Sequence, residues 1–196
     1  EFGLIGDMPY TSVQQREYQR VLAALDKVEL AFVVHVGDFQ NDPRGYYPNP
    51  AIGPIPCTDE RYKAIYDSFQ SVRHPFILTP GDNDWADCHL IRQNRIDPLE
   101  LLAKVRAMYF PEGRSLGQRT IAVESQGKEP RYAKFRENLR WTIGGVLFAT
   151  LHIIGSNDNT GRTPAMDAEE VERKAANIAW MRAAFAKAKS EGSRGV

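Results

Sequence analysis

The sequence predicts an α/β fold built on a parallel sheet, and three features carry that expectation. The short apolar runs "FGLIG", "LAFVVHVG" and "PFILTPG" lead into Asp7, Asp38 and Asp82, so each ends in Gly-Asp. Continuous apolar runs of this length fit strands buried on both faces, as in a parallel sheet. The intervening segments carry helical periodicity, giving the order strand, helix, strand, helix, strand.

Taken in order, "EFGLIG" reads as the first strand. "TSVQQREYQRVLAALDKV" then places Val13, Val21, Leu22, Leu25 and Val28 at helical spacing, with Ser12 to Gln15 as a capping box. A second helix falls in "DERYKAIYDSFQSV", where Ile65, Phe69 and Val72 share a face. The handedness of such crossovers puts the three strand ends along one edge of the sheet. "DPLELLAKVRAMYF" reads as a helix with Asp97 at its N-cap and Pro98 in its first turn. "NLRWTIGGVLFATLHII" reads as a hairpin around Gly144-Gly145. In "MDAEEVERKAANIAWMRAAFAKAKS", Asp167 and Glu170 form a capping box, and Val171, Ile178, Met181 and Phe185 are expected to pack on the sheet. The Pro- and Tyr-rich stretch "NDPRGYYPNPAIGPIPC" follows Asp38 and could wall a site.

With 196 residues, 42% of them apolar, the chain is expected to form one domain spanning 1–196. Its 25 basic and 25 acidic residues cancel, which argues against nucleic acid or an anionic membrane as main partner. No apolar run approaches the roughly 18 to 20 residues of a membrane span. The chain opens on a strand and closes on "SEGSRGV", so both ends read as cut from something longer. Cys57 and Cys88 lie in loop-like settings; a bridge between them and two free thiols both fit. A bridge would place the protein in an oxidising setting, periplasmic or secreted, and free thiols in the cytoplasm.

Open α/β sheets bind ligands beyond the carboxyl ends of their strands, so the three aspartates converge where a site belongs. Converging carboxylates repel one another, and a metal ion is the general remedy. The plainer alternative is that each Asp caps the turn or helix that follows it.

Asp7, then "GDFQN", then "PGDND", each after a strand, together resemble the calcineurin-like metallophosphoesterases. That family carries Asp-x-His, Gly-Asp-x-x-Asp/Asn and Gly-Asn-His-Asp/Glu, followed by a lone His and a Gly-His-x-His. More narrowly, "GLIGDMPY", "PGDNDWADCH" and "LHIIGSNDN" look like a divergent bacterial branch of it. The resemblance implies a sandwich of mostly parallel and mixed β-sheets flanked by helices, incomplete at the C-terminal end, with a two-metal phosphoester hydrolase site at the strand ends.

Carried over by position, Asp7 matches the first metal-binding aspartate and Asp38 the aspartate that bridges two metals. Asn41 closes the second block. Asp82 stands where the family has a metal-binding Asn. Asn83 replaces the His that helps protonate the leaving group, and Asp84 matches the acidic residue that orients it. The His expected two places after Asp7 is Pro9, and no Gly-His-x-His occurs.

Losing the imidazoles leaves an oxygen-rich site that favours magnesium, manganese or calcium over zinc or iron, holding one ion or two. An amide at position 83 can donate a hydrogen bond but not a proton, and general acid catalysis typically contributes about 10² to 10⁴ in rate. Among the four histidines, His89 could swing into the catalytic site and His152 could serve as a ligand; His35 reads as a packed strand residue and His74 as a surface one. Asn157 and Asn159 could bind phosphate or simply form turns. Trp85 is either a wall beneath its loop or a substrate stacker.

Two functional readings follow. One is a metal-dependent phosphatase or phosphodiesterase acting on a small phosphorylated molecule. The other is a degenerate relative that binds a ligand or a protein without turnover. A nucleotide-binding domain is a third, weaker reading, since "GLIGDMPY" lacks the glycine spacing of a phosphate-binding loop.

Overall fold

In a computed structural model of the chain, residues 1–40, 57–89 and 96–196 are described. Asn41 and nearly all of the Pro- and Tyr-rich stretch lie outside them. The described residues form a mixed α/β structure with four α-helices and two small sheets, one parallel and one antiparallel.

The parallel sheet contains β1 (Gly3–Ile5), β2 (Val33–His35) and β3 (Phe76–Leu78) in that order. Leu4 pairs with Val34, and Val34 with Ile77, so the three strands stop level and their Gly-Asp loops leave from the same edge. The crossovers are α1 (Ser12–Leu25) and α2 (Asp59–Ser71). The cap of α1 is one residue earlier than expected: Thr11 Oγ1 accepts the Gln14 N–H, and Gln14 Oε1 accepts the N–H of Tyr10. Tyr18 and Leu22 form the buried face of α1, while Val13 and Val28 are exposed. On α2 the expected face holds, with Ile65, Phe69 and Val72 buried, and it extends back to Tyr62 and Arg61.

Between α2 and the sheet, Phe39, Tyr62, Phe69, Phe76 and Tyr109 pack ring to ring, with Phe69 and Phe76 stacked at 4.6 Å. Aromatic pairs of this kind add about 0.5–1.5 kcal/mol each beyond area burial. Tyr109 belongs to α3 (Pro98–Tyr109), whose N-cap Asp97 accepts from Leu99 and Glu100 as the sequence predicts.

The antiparallel sheet contains β4 (Glu124–Ser125), β5 (Leu139–Ile143) and β6 (Val146–Ala149). The hairpin turns at Gly144 and Gly145, both at positive φ, 59° and 76°. That is the backbone a two-residue hairpin loop needs and glycine supplies without strain. Phe32 packs edge to face on Trp141 and Phe148, which stack on each other, and so locks the two sheets together.

The final helix, α4 (Pro164–Glu191), differs from expectation at its start and in its face. Thr163 caps it and Pro164 opens it, whereas Asp167 accepts the N–H of Gly161 outside the helix. Val171, Ile178, Met181 and Phe185 are exposed; the buried side carries Glu169, Arg173, Ala176, Asn177, Trp180 and Ala184. The reason is electrostatic. The first half of α4 buries ion pairs, and a period count that scores only apolar side chains selects the opposite face. No helix among the described residues is long and apolar enough to cross a membrane.

Candidate functional site

The three Gly-Asp loops meet at the strand ends, where Asp7 and Asp38 both adopt left-handed backbone, at φ 56° and 58°. Such conformations cost a non-glycine residue roughly 1–3 kcal/mol and gather at functional sites, Asp and Asn being the residues that tolerate them best.

Asp38 and Asp82 are brought together directly. The Asn83 N–H lies 3.2 Å from Asp38 Oδ1 and 3.1 Å from Asp82 Oδ1, so both carboxylates converge on one donor. Gly81 is required there, because a Cβ would collide with the Asp38 carboxylate. Burial, reinforced by the charges of Asp84 and Asp82, pushes the Asp38 carboxyl up to about 8. Burial and the neighbouring carboxylates therefore favour the protonated form of Asp38 near neutrality.

Asp7 sits one loop away. Its N–H donates to Gly37 O at 3.1 Å, and its carboxylate accepts the Tyr10 hydroxyl at 2.9 Å. Tyr10 in turn accepts from Asn83 Nδ2 at 3.5 Å. Burial and the nearby Asp38 and Asp7 carboxylates raise the Tyr10 phenol above its ordinary range, so it stays protonated.

Asp84 is fully buried and fastens the second loop to the third. It accepts backbone N–H groups from Asp38, Phe39, Gln40 and Gly81 at 2.7–3.2 Å. Burial raises its carboxyl to about 7 against the pull of those donors. Arg61 fastens the first loop to the second by donating to Pro9 O at 2.7 Å and Phe39 O at 2.9 Å.

A fourth loop, after β6, closes against the third. Gly155 faces Asp82, with a Cβ there lying 2.7 Å from Oδ2. His152 is buried with both ring nitrogens engaged: Nε2 accepts the Trp85 indole N–H at 3.2 Å, which leaves Nδ1–H to donate to Glu137 at 2.9 Å. Burial lowers the imidazole pKa, against the pull of Glu137. Burial alone would raise Glu137, but Arg106 and His152 hold it down at about 2. Trp85 is fully buried beneath the loop, a placement suited to a wall and not to stacking on a ligand.

The remaining expected residues are placed as follows. His89 turns Nδ1 back to Ala86 O at 2.8 Å, within its own 3₁₀ turn. Asn157 bonds Thr160 Oγ1, and Asn159 is buried and accepts from Arg162. Both belong to a run of four left-handed residues, Ser156–Asn159, which Arg173 pins through Asp158. His35 is buried as expected, but His74 is buried too, held by Leu25 O and Arg119. Cys57 and Cys88 form a disulfide, compatible with an extracellular location.

Among the described residues, no group of three or more His, Cys, Asp or Glu is close enough to hold a metal ion. The two carboxylates brought together are Asp38 and Asp82, while Asp7 is turned onto Tyr10. An all-oxygen pair relieved of its repulsion by a hard cation is chemically consistent with magnesium, manganese or calcium. A cleft of about 680 Å³ lies elsewhere, between α3 and the start of α4, and does not include these carboxylates.

No known protein family, characterised protein or solved structure matches the chain.

Sequence reasoning missed Tyr10, Arg61 and Glu137. Arg61 was within reach, since it lies four residues before Ile65 on the buried face of α2. Tyr10 reaches the third loop only through Asn83, and Glu137 pairs with Arg106 of α3 and with His152, contacts that no local pattern announces.

Proposed function

We propose that the protein is a metal-dependent phosphoester hydrolase of the calcineurin-like metallophosphoesterase type, acting on a small phosphorylated molecule. The observation that carries this reading is the convergence of Asp38 and Asp82 on the Asn83 N–H at the ends of parallel strands, with Asp38 displaced toward about 8. Two carboxyls held this way store repulsion that a divalent cation relieves. Asp38 and Asp82 would hold the ion, and Asp7 would join them only by turning from the Tyr10 hydroxyl. A bound cation would neutralise phosphoryl oxygens and activate water. Asn83 would polarise the ester through its amide, and Asp84 would keep the second and third loops in register. The parallel strand ends that carry the carboxylates support the reading, and the disulfide favours an exported setting, periplasmic or secreted.

The test is manganese-stimulated hydrolysis of an aryl phosphate, with Asp38→Asn as control. Stimulation in the wild type and its loss in the variant are the expected result. Turnover indifferent to both metal and Asp38 would overturn the reading.

A second reading, a relative that binds phosphorylated ligands without turnover, is favoured by the His152 ring. Both of its nitrogens are committed inside the protein, and position 83 offers an amide in place of an acid. Manganese-dependent phosphate binding without hydrolysis would select it.

A further inference from the structure

The Tyr10 hydroxyl joins the first and third loops, donating to Asp7 Oδ1 at 2.9 Å and accepting from Asn83 Nδ2 at 3.5 Å. Its backbone is held as well, since the Tyr10 N–H donates to Gln14 Oε1 at 2.7 Å just before the Thr11 cap of α1. The hydroxyl is therefore fixed beside the two positions that the proposed chemistry needs: a candidate ligand and the amide that replaces the missing imidazole.

We propose that Tyr10 is a further catalytic residue, whose hydroxyl donates a hydrogen bond to the phosphoryl group of a substrate held between Asp7 and Asn83. The proposal rests on the phosphoesterase reading and extends it to a residue outside the metal set. A phosphoryl group placed among Asp7, Asp38 and Asp82 meets three carboxylates, so neutral donors must face its oxygens. Asn83 supplies one through its amide, and the phenol supplies a second. A phenolic hydrogen moves by rotation about the C–O bond. The donor that now faces Asp7 can turn to an oxyanion without any movement of the ring. No proton is transferred in this role: the phenol keeps its hydrogen, and the leaving oxygen takes its proton from water. The arrangement favours esters whose leaving group needs little protonation, such as aryl or anhydride phosphates, since neither a phenol that only donates nor an amide replaces a general acid.

The experiment compares wild type, Tyr10→Phe and Asp38→Asn as full chains with manganese. It reads kcat and KM for an aryl phosphate, inhibition by inorganic phosphate, and the unfolding midpoint. Tyr10→Phe keeps the ring and removes only the hydroxyl. A hydrogen bond to a charged group sets the expected loss in kcat/KM at about ten- to a hundredfold. Phosphate should inhibit several-fold more weakly, with the midpoint unchanged. If the wild type turns over, Asp38→Asn is dead and Tyr10→Phe matches wild type in both rate and phosphate inhibition, the role of Tyr10 is overturned while the phosphoesterase reading stands. If Tyr10→Phe loses activity only in step with a fall in midpoint, its role is structural and the proposal is again overturned. If the wild type neither hydrolyses the ester nor binds phosphate, both fall together.

Discussion

The Phe39 backbone N–H donates to the Asp84 carboxylate at 2.7 Å across 45 residues of sequence. Three more backbone N–H groups, of Asp38, Gln40 and Gly81, converge on the same side chain. Asp84 is thus what sets the second loop against the third and brings Asp38 beside Asp82. Asp84→Ala would strand these donors in a buried site, and each stranded donor costs about 1–3 kcal/mol. A total loss of at least about 3 kcal/mol is expected, lowering the midpoint by roughly 6 °C or more for a chain of this size. Thermal unfolding measures it; a variant as stable as wild type would show that water or a rearranged loop satisfies those groups.

Metal loading should stabilise the fold through Asp38 and Asp82. A ligand at one hundred times its dissociation constant adds about 2.7 kcal/mol. Manganese in that excess should therefore raise the midpoint by roughly 5–10 °C. Asp38→Asn and Asp82→Asn should each remove most of the increase. An equal shift in both variants would place the ion elsewhere.

The parallel sheet and the positions of the three aspartates were legible in the sequence, because a Gly-Asp at the end of a buried apolar run is a local signal. The face of α4 was not. Arg173, Glu169 and Asn177 occupy its buried side by pairing with Asp158, Arg106 and His152. Those partners come from distant segments, so a count of Val171, Ile178, Met181 and Phe185 gave the wrong side. The site divides the same way. Asp7, Asp38 and Asp82 follow from strand ends, whereas the fastenings made by Arg61, Asp84 and Tyr10 depend on where loops meet. His74 shows the limit at a single residue: nothing in "SVRHPF" foretells that Arg119 will cover it.

Acid should destabilise the protein through His35. Its Nδ1 accepts the Gly37 N–H, so the neutral ring donates from Nε2 to Met8 O, and burial lowers its pKa from 6.5 to about 4. The unfolded chain takes up a proton below about 6.5 while the folded ring stays neutral until about 4. Its contribution is thus intact above the unfolded value and lost as pH falls through this window, by about 3 kcal/mol in all. Glu137, held at about 2, loses its own contribution only below the usual carboxylate range. Denaturant unfolding of wild type and His35→Gln between pH 4.5 and 7.5 isolates the histidine: their stability difference should shrink toward acid. A constant difference would contradict the assignment.

Breaking the Cys57–Cys88 bridge should lower stability. It ties the segment before α2 to the turn after the third loop over a separation of 31 residues, and both sulfurs are buried. Chain-entropy arguments give roughly 3–4 kcal/mol for a loop of that length. The double variant Cys57→Ser, Cys88→Ser should unfold at lower denaturant with a comparable loss. It should also weaken manganese binding, since Cys88 Sγ packs on Asn83 O at 3.7 Å, beneath the carboxylate pair. Unchanged stability would mean that the loops are ordered without the bridge.

His152 offers the sharpest separation between a ligand and a structural residue. The ring bridges Trp85 beneath the third loop and the Arg106–Glu137 ion pair, and its carbonyl accepts from Arg173 and Asn177. His152→Phe keeps most of the ring volume but strands the Trp85 indole N–H and removes a donor from Glu137. A loss of about 2–4 kcal/mol is expected, because both stranded groups are buried. Manganese affinity in the folded variant should change less than threefold, because neither ring nitrogen is free to coordinate. A metal ligand would give the opposite pattern, with affinity falling by orders of magnitude and stability of the metal-free protein preserved. Unfolding and manganese titration on the same preparation discriminate the two, and a collapse of affinity would return His152 to the metal set.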